Sequence, residues 1–139
     1  MSAGSCTGVG AYRDAAISSS NHENSAQFLV DDNRNVEDVL ISICRYGYLP
    51  SFCTACYRQE RKGNHFMGLA KTGEIQKMCQ PNALLTFQEY LLEYASPENQ
   101  QYGQEVIARH LASIKQPSIK KATEEKLARI KQGEQDLFF

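Results

Sequence analysis

Apolar residues recur at the spacing of a helical face along most of the chain beyond residue 34, and no stretch there alternates as a strand does. The first predicted helix begins after Asn35, a good capping residue, and ends at Gly47. Its apolar positions are Val36, Val39, Leu40 and Ile43. The pattern therefore predicts a small, mainly α domain, and we find no internal repeat.

Start and stop signals predict further helices in the rest of the chain. They cover approximately residues 64–70, 74–78, 86–95, 97–115 and 117–133. Pro81-Asn82 is predicted to break the chain between the second and third of these helices. Thr86-Phe-Gln-Glu89 matches a capping box, and Ser96-Pro97 places a cap before a proline at the first helical position.

The last three predicted helices each have one apolar face. The inner positions of helix 86–95 are Phe87, Tyr90, Leu91 and Tyr94. Those of helix 97–115 are Tyr102, Val106, Ile107, Leu111 and Ile114, and those of helix 117–133 are Ile119, Ala122, Leu127 and Ile130. The apolar residues 137–139 are expected to pack against a surface rather than remain in water.

Composition narrows the possible functions. The chain has 139 residues with 15 basic and 16 acidic side chains, and no patch of one sign points to nucleic acid or to an anionic membrane. No run approaches 18 apolar residues, so we expect no membrane-spanning helix. The first residues lack the features of a signal peptide, and clustered thiols then favour a reducing compartment, the cytoplasm.

The opening residues, Met1–Gly10, are small and become Gly-rich. They resemble the end of a buried strand that runs into a loop of an α/β barrel. The rest of the chain offers no strand to pair with it, so we expect this segment to be part of something larger.

Three cysteines carry the main chemical signal. Cys53 and Cys56 form a C-x2-C pair, and Cys79 follows after 22 residues. Thiolates bind soft metals strongly, and a C-x2-C pair can turn both sulfurs onto one centre. Three thiols without an obvious fourth ligand suggest a cluster with one open coordination position.

Several readings of these cysteines compete. They could be small core residues, although a Pro-bounded polar loop is a poor core segment. Zinc could bind if His65 completed a Cys3His set. A redox C-x-x-C is a further reading, but no βαβ pattern surrounds it. An iron–sulfur cluster held by three thiolates accounts for all three cysteines.

The remaining cysteines and histidines have no companions at ligand spacing. Cys44 lies on the first predicted helix and is expected to pack in the core, although it could also be a fourth ligand. Cys6 could be reactive or incidental. His22 and His110 are expected to be surface or satisfied residues.

Three basic residues follow the cysteine pair, and two readings of them stay open. Arg58, Arg61 and Lys62 could stabilise a negatively charged cluster, or they could be ordinary solvated charges.

These motifs, with their flanks, closely resemble the C-terminal part of the radical-SAM tyrosine lyases that mature [FeFe] hydrogenase, relatives of the 2-iminoacetate synthase of thiamine synthesis. The matching segments are 50–58, 63–67, 79–91 and 133–137, and residues 2–5 resemble a late barrel strand of the same proteins. The resemblance covers nearly the whole chain.

The resemblance implies an auxiliary [4Fe-4S] cluster held by Cys53, Cys56 and Cys79. In the family, its open iron position links to an extra iron that collects carbon monoxide and cyanide made from tyrosine. A first cluster, on a C-x3-C-x2-C loop, binds S-adenosylmethionine. The implied partners are the barrel portion of the lyase and the other hydrogenase maturation proteins, in the cytoplasm or in the lumen of an anaerobic organelle.

This sequence departs from that pattern because it contains no C-x3-C-x2-C motif and lacks most of the barrel. We therefore expect a C-terminal fragment that does not cleave tyrosine alone. The expected architecture is a barrel remnant over residues 1–34, followed by a helical cluster-binding domain over residues 35–139. The alternative is a small zinc-stabilised interaction domain.

Overall fold

Six helices and no strand make up residues 34–139, which are the residues that the computed structural model describes. The helices are α1 (Val36–Arg45), α2 (Ala55–Arg58), α3 (Gly63–Thr72), α4 (Gln76–Glu93), α5 (Pro97–Ala112) and α6 (Pro117–Lys131). The prediction of a mainly helical domain is thus confirmed for this part of the chain. The barrel-like segment, Cys6 and His22 lie outside the described residues.

Helix α1 begins and ends where its sequence predicts. The side chain of Asn35 accepts a hydrogen bond from the backbone N–H of Asp38 at 2.8 Å, as an N-cap should. Gly47 follows the helix with a φ of +83°, and its N–H donates to the carbonyl of Cys44 at 3.0 Å. A residue with a Cβ would be strained at this φ, so glycine is suited to end the helix here.

Helix α4 is the centre of the fold because it packs against both α5 and α6. The fully buried residues of its core face include Leu84, Leu85, Phe87 and Leu91. Helix α5 contributes Val106 and Ile107, and helix α6 contributes Leu127 and Ile130. The predicted inner faces are therefore confirmed at Phe87 and Leu91 and at these four positions of α5 and α6, whereas the inner position predicted for Tyr94 is wrong, because Tyr94 is 71% exposed.

The predicted break at Pro81-Asn82 is wrong, because α4 continues through both residues. Proline lacks an N–H, so one intrahelical hydrogen bond is lost, at a cost of about 3 kcal/mol. Pro81 and the four residues after it are all buried, however. Burying a leucine contributes about 1.5–3 kcal/mol, so Leu84 and Leu85 together offset the lost bond.

The predicted capping box at Thr86 is wrong for the same reason. Thr86 lies inside α4, and its hydroxyl donates to the carbonyl of Asn82, one turn back, at 3.0 Å. Glu89 likewise does not cap a helix, and instead accepts the backbone N–H of Asp136 at 2.7 Å.

A carboxylate joins α1 to the start of α5. One oxygen of Glu37 accepts the backbone N–H and the hydroxyl of Ser96, both at 2.8 Å, and the side-chain amide of Asn99 at 2.6 Å. These three bonds lower the pKa of Glu37, because they favour the charged carboxylate. The residue that starts α5 is thus fixed by a neighbouring helix rather than by its own side chain.

None of the helices within residues 34–139 is long and apolar enough to cross a membrane.

Candidate metal centre

Two of the three predicted ligands lie on the loop after α1. Cys53 lies before the four-residue helix α2, and Cys56 lies within it; both are half-buried. The backbone N–H of Ala55 donates to the sulfur of Cys53 at 3.4 Å. Hydrogen bonds of this kind stabilise a thiolate and are one of the ways in which proteins tune thiolate-bound metals.

The third predicted ligand lies on the first turns of α4. Cys79 is exposed, and its N–H is bonded to the carbonyl of Ile75 at 2.9 Å, so its backbone is held in the helix. From the sequence, Cys79 was predicted to follow a separate short helix over residues 74–78. Instead it stands on the same helix that forms the middle of the core.

The two loop cysteines affect the pKa of the third candidate ligand, Cys79. Burial raises the pKa of Cys79, and the nearby thiols of Cys56 and Cys53 raise it further, whereas Arg61 opposes this shift. Like charges raise a pKa in this way only at short range. The loop and α4 therefore bring the three sulfurs into one neighbourhood.

Within residues 34–139, no three histidine, cysteine or acidic side chains converge closely enough to hold a single metal ion. His65 is exposed on α3 and does not form such a group with the cysteines. A tetrahedral zinc ion needs its ligands about 2.3 Å from one point. A polynuclear cluster is larger, and it holds its thiolates further apart on separate irons.

The loop that carries Cys53 is attached to α4 by two contacts of Phe52. Its backbone N–H donates to the hydroxyl of Thr86 at 3.3 Å. Its ring stacks on Tyr90 with 5.3 Å between the ring centroids. Thr86 thus accepts a hydrogen bond from the loop instead of capping a helix. Tyr90, which was predicted to lie on the inner face of its helix, contacts the loop through its ring.

A cavity of about 640 Å³ lies beside Cys53. The loop, α4 and residues 136–138 form its walls, and aromatic rings from Phe52, Tyr90, Tyr94 and Phe138 dominate the lining. Neither Cys56 nor Cys79 lines it. The cavity therefore adjoins one candidate ligand and does not enclose the three thiols.

The last residues of the chain return to this region and contact two of the three predicted basic residues. Arg58 forms an ion pair with Asp136 and lies 5.5 Å above the ring of Phe138. Arg61 donates to the backbone oxygen of Phe139 at 2.7 Å. Both arginines therefore contact the last residues of the chain, Arg58 from an exposed position and Arg61 from a half-buried one, and Lys62 is exposed.

Two residues outside the centre were expected to have ordinary structural roles. Cys44 is fully buried in the core, and burial raises its pKa to about 11. The expectation that it packs is confirmed. His110 is half-buried on α5, and burial lowers its pKa. Its Nε2 is buried without a hydrogen-bond partner among the described residues, so the expectation of a surface or satisfied histidine is wrong.

These features define a class of protein: a helical domain with three neighbouring thiols, two on a loop and one on its central helix. The chain is similar to HydG, described as a maturase of the [FeFe]-hydrogenase, whose crystal structure shares 43% sequence identity with it. The TM-score is 0.78, and the match covers 96% of this chain. The chain is thus related to HydG along nearly its whole length, which confirms the resemblance noted in the sequence.

The match covers 28% of the HydG chain, so this sequence spans less than a third of that protein. No family model and no curated protein matches the sequence.

Proposed function

We propose that residues 35–139 hold an auxiliary [4Fe-4S] cluster on the thiolates of Cys53, Cys56 and Cys79. The observation that carries this proposal is the 43% identity to HydG over 96% of a chain in which the thiols of Cys53 and Cys56 raise the pKa of Cys79. The donor set suits the group, because thiolates are the usual protein ligands of iron–sulfur clusters.

The chain's own residues would do three things for such a cluster. The loop residues Cys53 and Cys56 and the helical residue Cys79 would bind it from two sides. The N–H of Ala55 would stabilise negative charge on the Cys53 sulfur. Arg61, whose charge favours the thiolate of Cys79, would do the same there. With three protein ligands, a bound cluster would supply one iron that is open to a further ligand.

The activity proposed for the whole protein is that of a radical-SAM tyrosine lyase that makes carbon monoxide and cyanide for the hydrogenase cofactor. In that setting the open iron would link to an extra iron that collects both products. This sequence contains no C-x3-C-x2-C motif, so the cluster that binds S-adenosylmethionine would belong to a barrel portion. That portion and the other maturation proteins are the proposed partners, in the cytoplasm or in the lumen of an anaerobic organelle.

Anaerobic reconstitution of the full 139-residue chain with iron and sulfide tests the proposal. We expect about four irons and four sulfides per chain, as for other [4Fe-4S] proteins. Replacing Cys53, Cys56 and Cys79 together by alanine should abolish uptake. The matched control is Cys44→Ala, because Cys44 is a buried thiol of the same domain and should leave uptake unchanged.

The same experiment separates the cluster from the zinc alternative. If His65 were a fourth ligand, His65→Ala would lower metal binding; we expect no change, because His65 is exposed on α3. A chain that binds one zinc ion, refuses iron and loses its zinc on this substitution would contradict the proposal.

A further inference from the structure

Residues 136–139, which we call the clasp, bind the loop that carries two of the candidate ligands. Asp136 pairs with Arg58, two residues after Cys56. The backbone oxygen of Phe139 accepts a hydrogen bond from Arg61 at 2.7 Å. The clasp therefore holds both arginines that follow the cysteine pair.

The clasp is equally bound to the helices behind it. The N–H of Phe139 donates at 2.8 Å to the side-chain oxygen of Asn82, which is buried in α4 one turn after Cys79. The backbone N–H of Asp136 donates to Glu89, further along α4. From α6, Lys126 donates to the backbone oxygen of Phe138 at 2.5 Å, and its ammonium lies 3.7 Å from the ring centroid of Phe139.

Arg61 also connects directly to the residue before Cys79. Its guanidinium donates to the sulfur of Met78 at 2.8 Å, in addition to its bond with Phe139. One side chain of the loop thus touches both the clasp and the start of α4.

The loop also has apolar anchors, because Leu49 at its start belongs to the core and Ala55, between the two cysteines, is 2% exposed. Helices α2 and α3 make no extensive contacts with the other helices, and α3 has no buried residue. The polar connections of the loop to α4 run through Phe52, through Arg61 and through the clasp, which binds both arginines. The separation between the cysteine pair and Cys79 consequently depends on these contacts.

We propose that the clasp, through Arg58 and Arg61, positions the loop so that Cys53 and Cys56 stay within reach of Cys79. The arginines and the clasp are positioning residues, because they act through the cysteines. As a statement about a metal centre, this inference rests on the proposed function. As a statement about thiol separation, it can be tested in the metal-free chain.

The test uses dibromobimane, a short reagent that forms a fluorescent link between two neighbouring thiols. Each thiolate displaces one bromide, so a link forms two C–S bonds and releases two equivalents of HBr. Mass spectrometry of the digested chain distinguishes the Cys53–Cys56 product from products that contain Cys79. The first product joins thiols three residues apart and serves as an internal reference for the extent of the reaction, while circular dichroism tests for general unfolding.

Three variants of the full chain are compared with the unaltered chain. The first ends after Gln135 and removes the clasp but keeps both arginines. The second, Arg58→Gln with Arg61→Gln, keeps the clasp. The control, Glu134→Gln, breaks the ion pair with Arg129, which lies next to the clasp but does not involve the loop. Circular dichroism establishes that helix content is retained, and Asp136→Asn replaces the truncated chain if it does not fold.

We expect the ratio of Cys79 products to the Cys53–Cys56 product to fall about tenfold in both test variants, the factor for a net loss of one charge-assisted hydrogen bond. Combining the two changes should lower the ratio no further, because both remove the same connection. The control should leave the ratio unchanged. If the arginine variant lowers the ratio and the truncation does not, the arginines act by charge alone and the inference is wrong.

Cluster reconstitution of the same chains separates the two claims. If the unaltered chain takes up no iron but the clasp variants lower the linking ratio, the proposed function fails and the positioning role of the clasp is upheld. If the unaltered chain forms the cluster and the clasp variants change neither the ratio nor the electron paramagnetic resonance of the reduced cluster, the clasp inference fails while the proposed function holds.

Discussion

Replacing Gly103 by alanine should destabilise the domain, although alanine is the better helix former. Gly103 is buried in α5 against Leu91 of α4, which is 1% exposed. A Cβ at residue 103 would lie 2.4 Å and 2.5 Å from the two terminal methyl carbons of Leu91. Carbon atoms in contact prefer about 3.5–4.0 Å, so one of the two helices or the leucine must move by about 1 Å.

The net effect follows from two opposing contributions. Overpacking of this kind costs about 1–3 kcal/mol, because the surrounding core leaves the leucine little room. Removing a glycine from a helix interior gains about 0.5–1 kcal/mol. We therefore expect Gly103→Ala to lower the free energy of unfolding by about 1–2 kcal/mol, measured by urea denaturation followed by circular dichroism. The accompanying fall in Tm should be about 5–10 °C for a domain of this size.

Gly68→Ala is the matched control for this substitution. Gly68 also lies inside a helix, α3, but nothing lies within 4 Å of a Cβ placed there. This variant should be neutral, or stabilising by up to about 1 kcal/mol. Equal stability of the two variants would refute the reasoning. Adding Leu91→Ala should abolish the penalty of Gly103→Ala, which a double-mutant cycle measures as a coupling energy.

Three other predictions concern single contacts. Glu37→Gln should lower stability by about 1 kcal/mol at neutral pH, because a charged acceptor of three hydrogen bonds becomes neutral. The folded-state pKa of Glu37 lies below the ordinary 4.5, so its stabilisation is complete above pH 4.5 and is lost as the pH falls through the folded-state pKa. Cys44, with a pKa of about 11, should resist alkylation at pH 8 while the exposed Cys79 reacts, as peptide mapping would reveal. Thr86→Val should leave the N–H of Phe52 unpaired and increase its hydrogen exchange about tenfold, the factor for one lost hydrogen bond.

Controls for these contacts come from neighbouring residues. Asp38→Asn removes a charge from the same helical turn as Glu37 without affecting α5, so an equal and equally pH-dependent loss in both variants would contradict the role of Glu37. Rapid labelling of Cys44 in the native chain would contradict its burial. Thr86→Ser retains the hydroxyl and should restore protection of Phe52; if it does not, the hydroxyl is not the acceptor.

Local signals in the sequence were sufficient for most helix boundaries. The cap at Asn35, the glycine at 47 and the Ser96-Pro97 pair each act within a few residues, and the helices begin and end close to them. The break predicted at Pro81 failed because burial of the following residues outweighs one missing hydrogen bond. That burial arises from packing against α5 and α6, which no local pattern around Pro81 contains.

The candidate site was only partly accessible from the sequence. The spacing of the three cysteines pointed to one loop and to α4 as the candidate site, and their ligation stays a prediction. The contacts of Arg58 and Arg61 with residues 136–139 could not be foreseen, because they join positions 78 residues apart. The acidic Asp136, directly before the apolar residues 137–139, was the one signal that could have suggested them.

The continuous helix through Pro81 has a mechanical consequence. An 18-residue helix is about 27 Å long, so Cys79 lies near one end of a long helix whose middle is embedded in the core. Cys53 lies before α2 and Cys56 within it, and this short helix makes no extensive contact with the other helices. If a cluster binds, the loop with Cys53 and Cys56 would therefore move to fit it. Cys79 would stay in place, and its position would determine where the cluster lies.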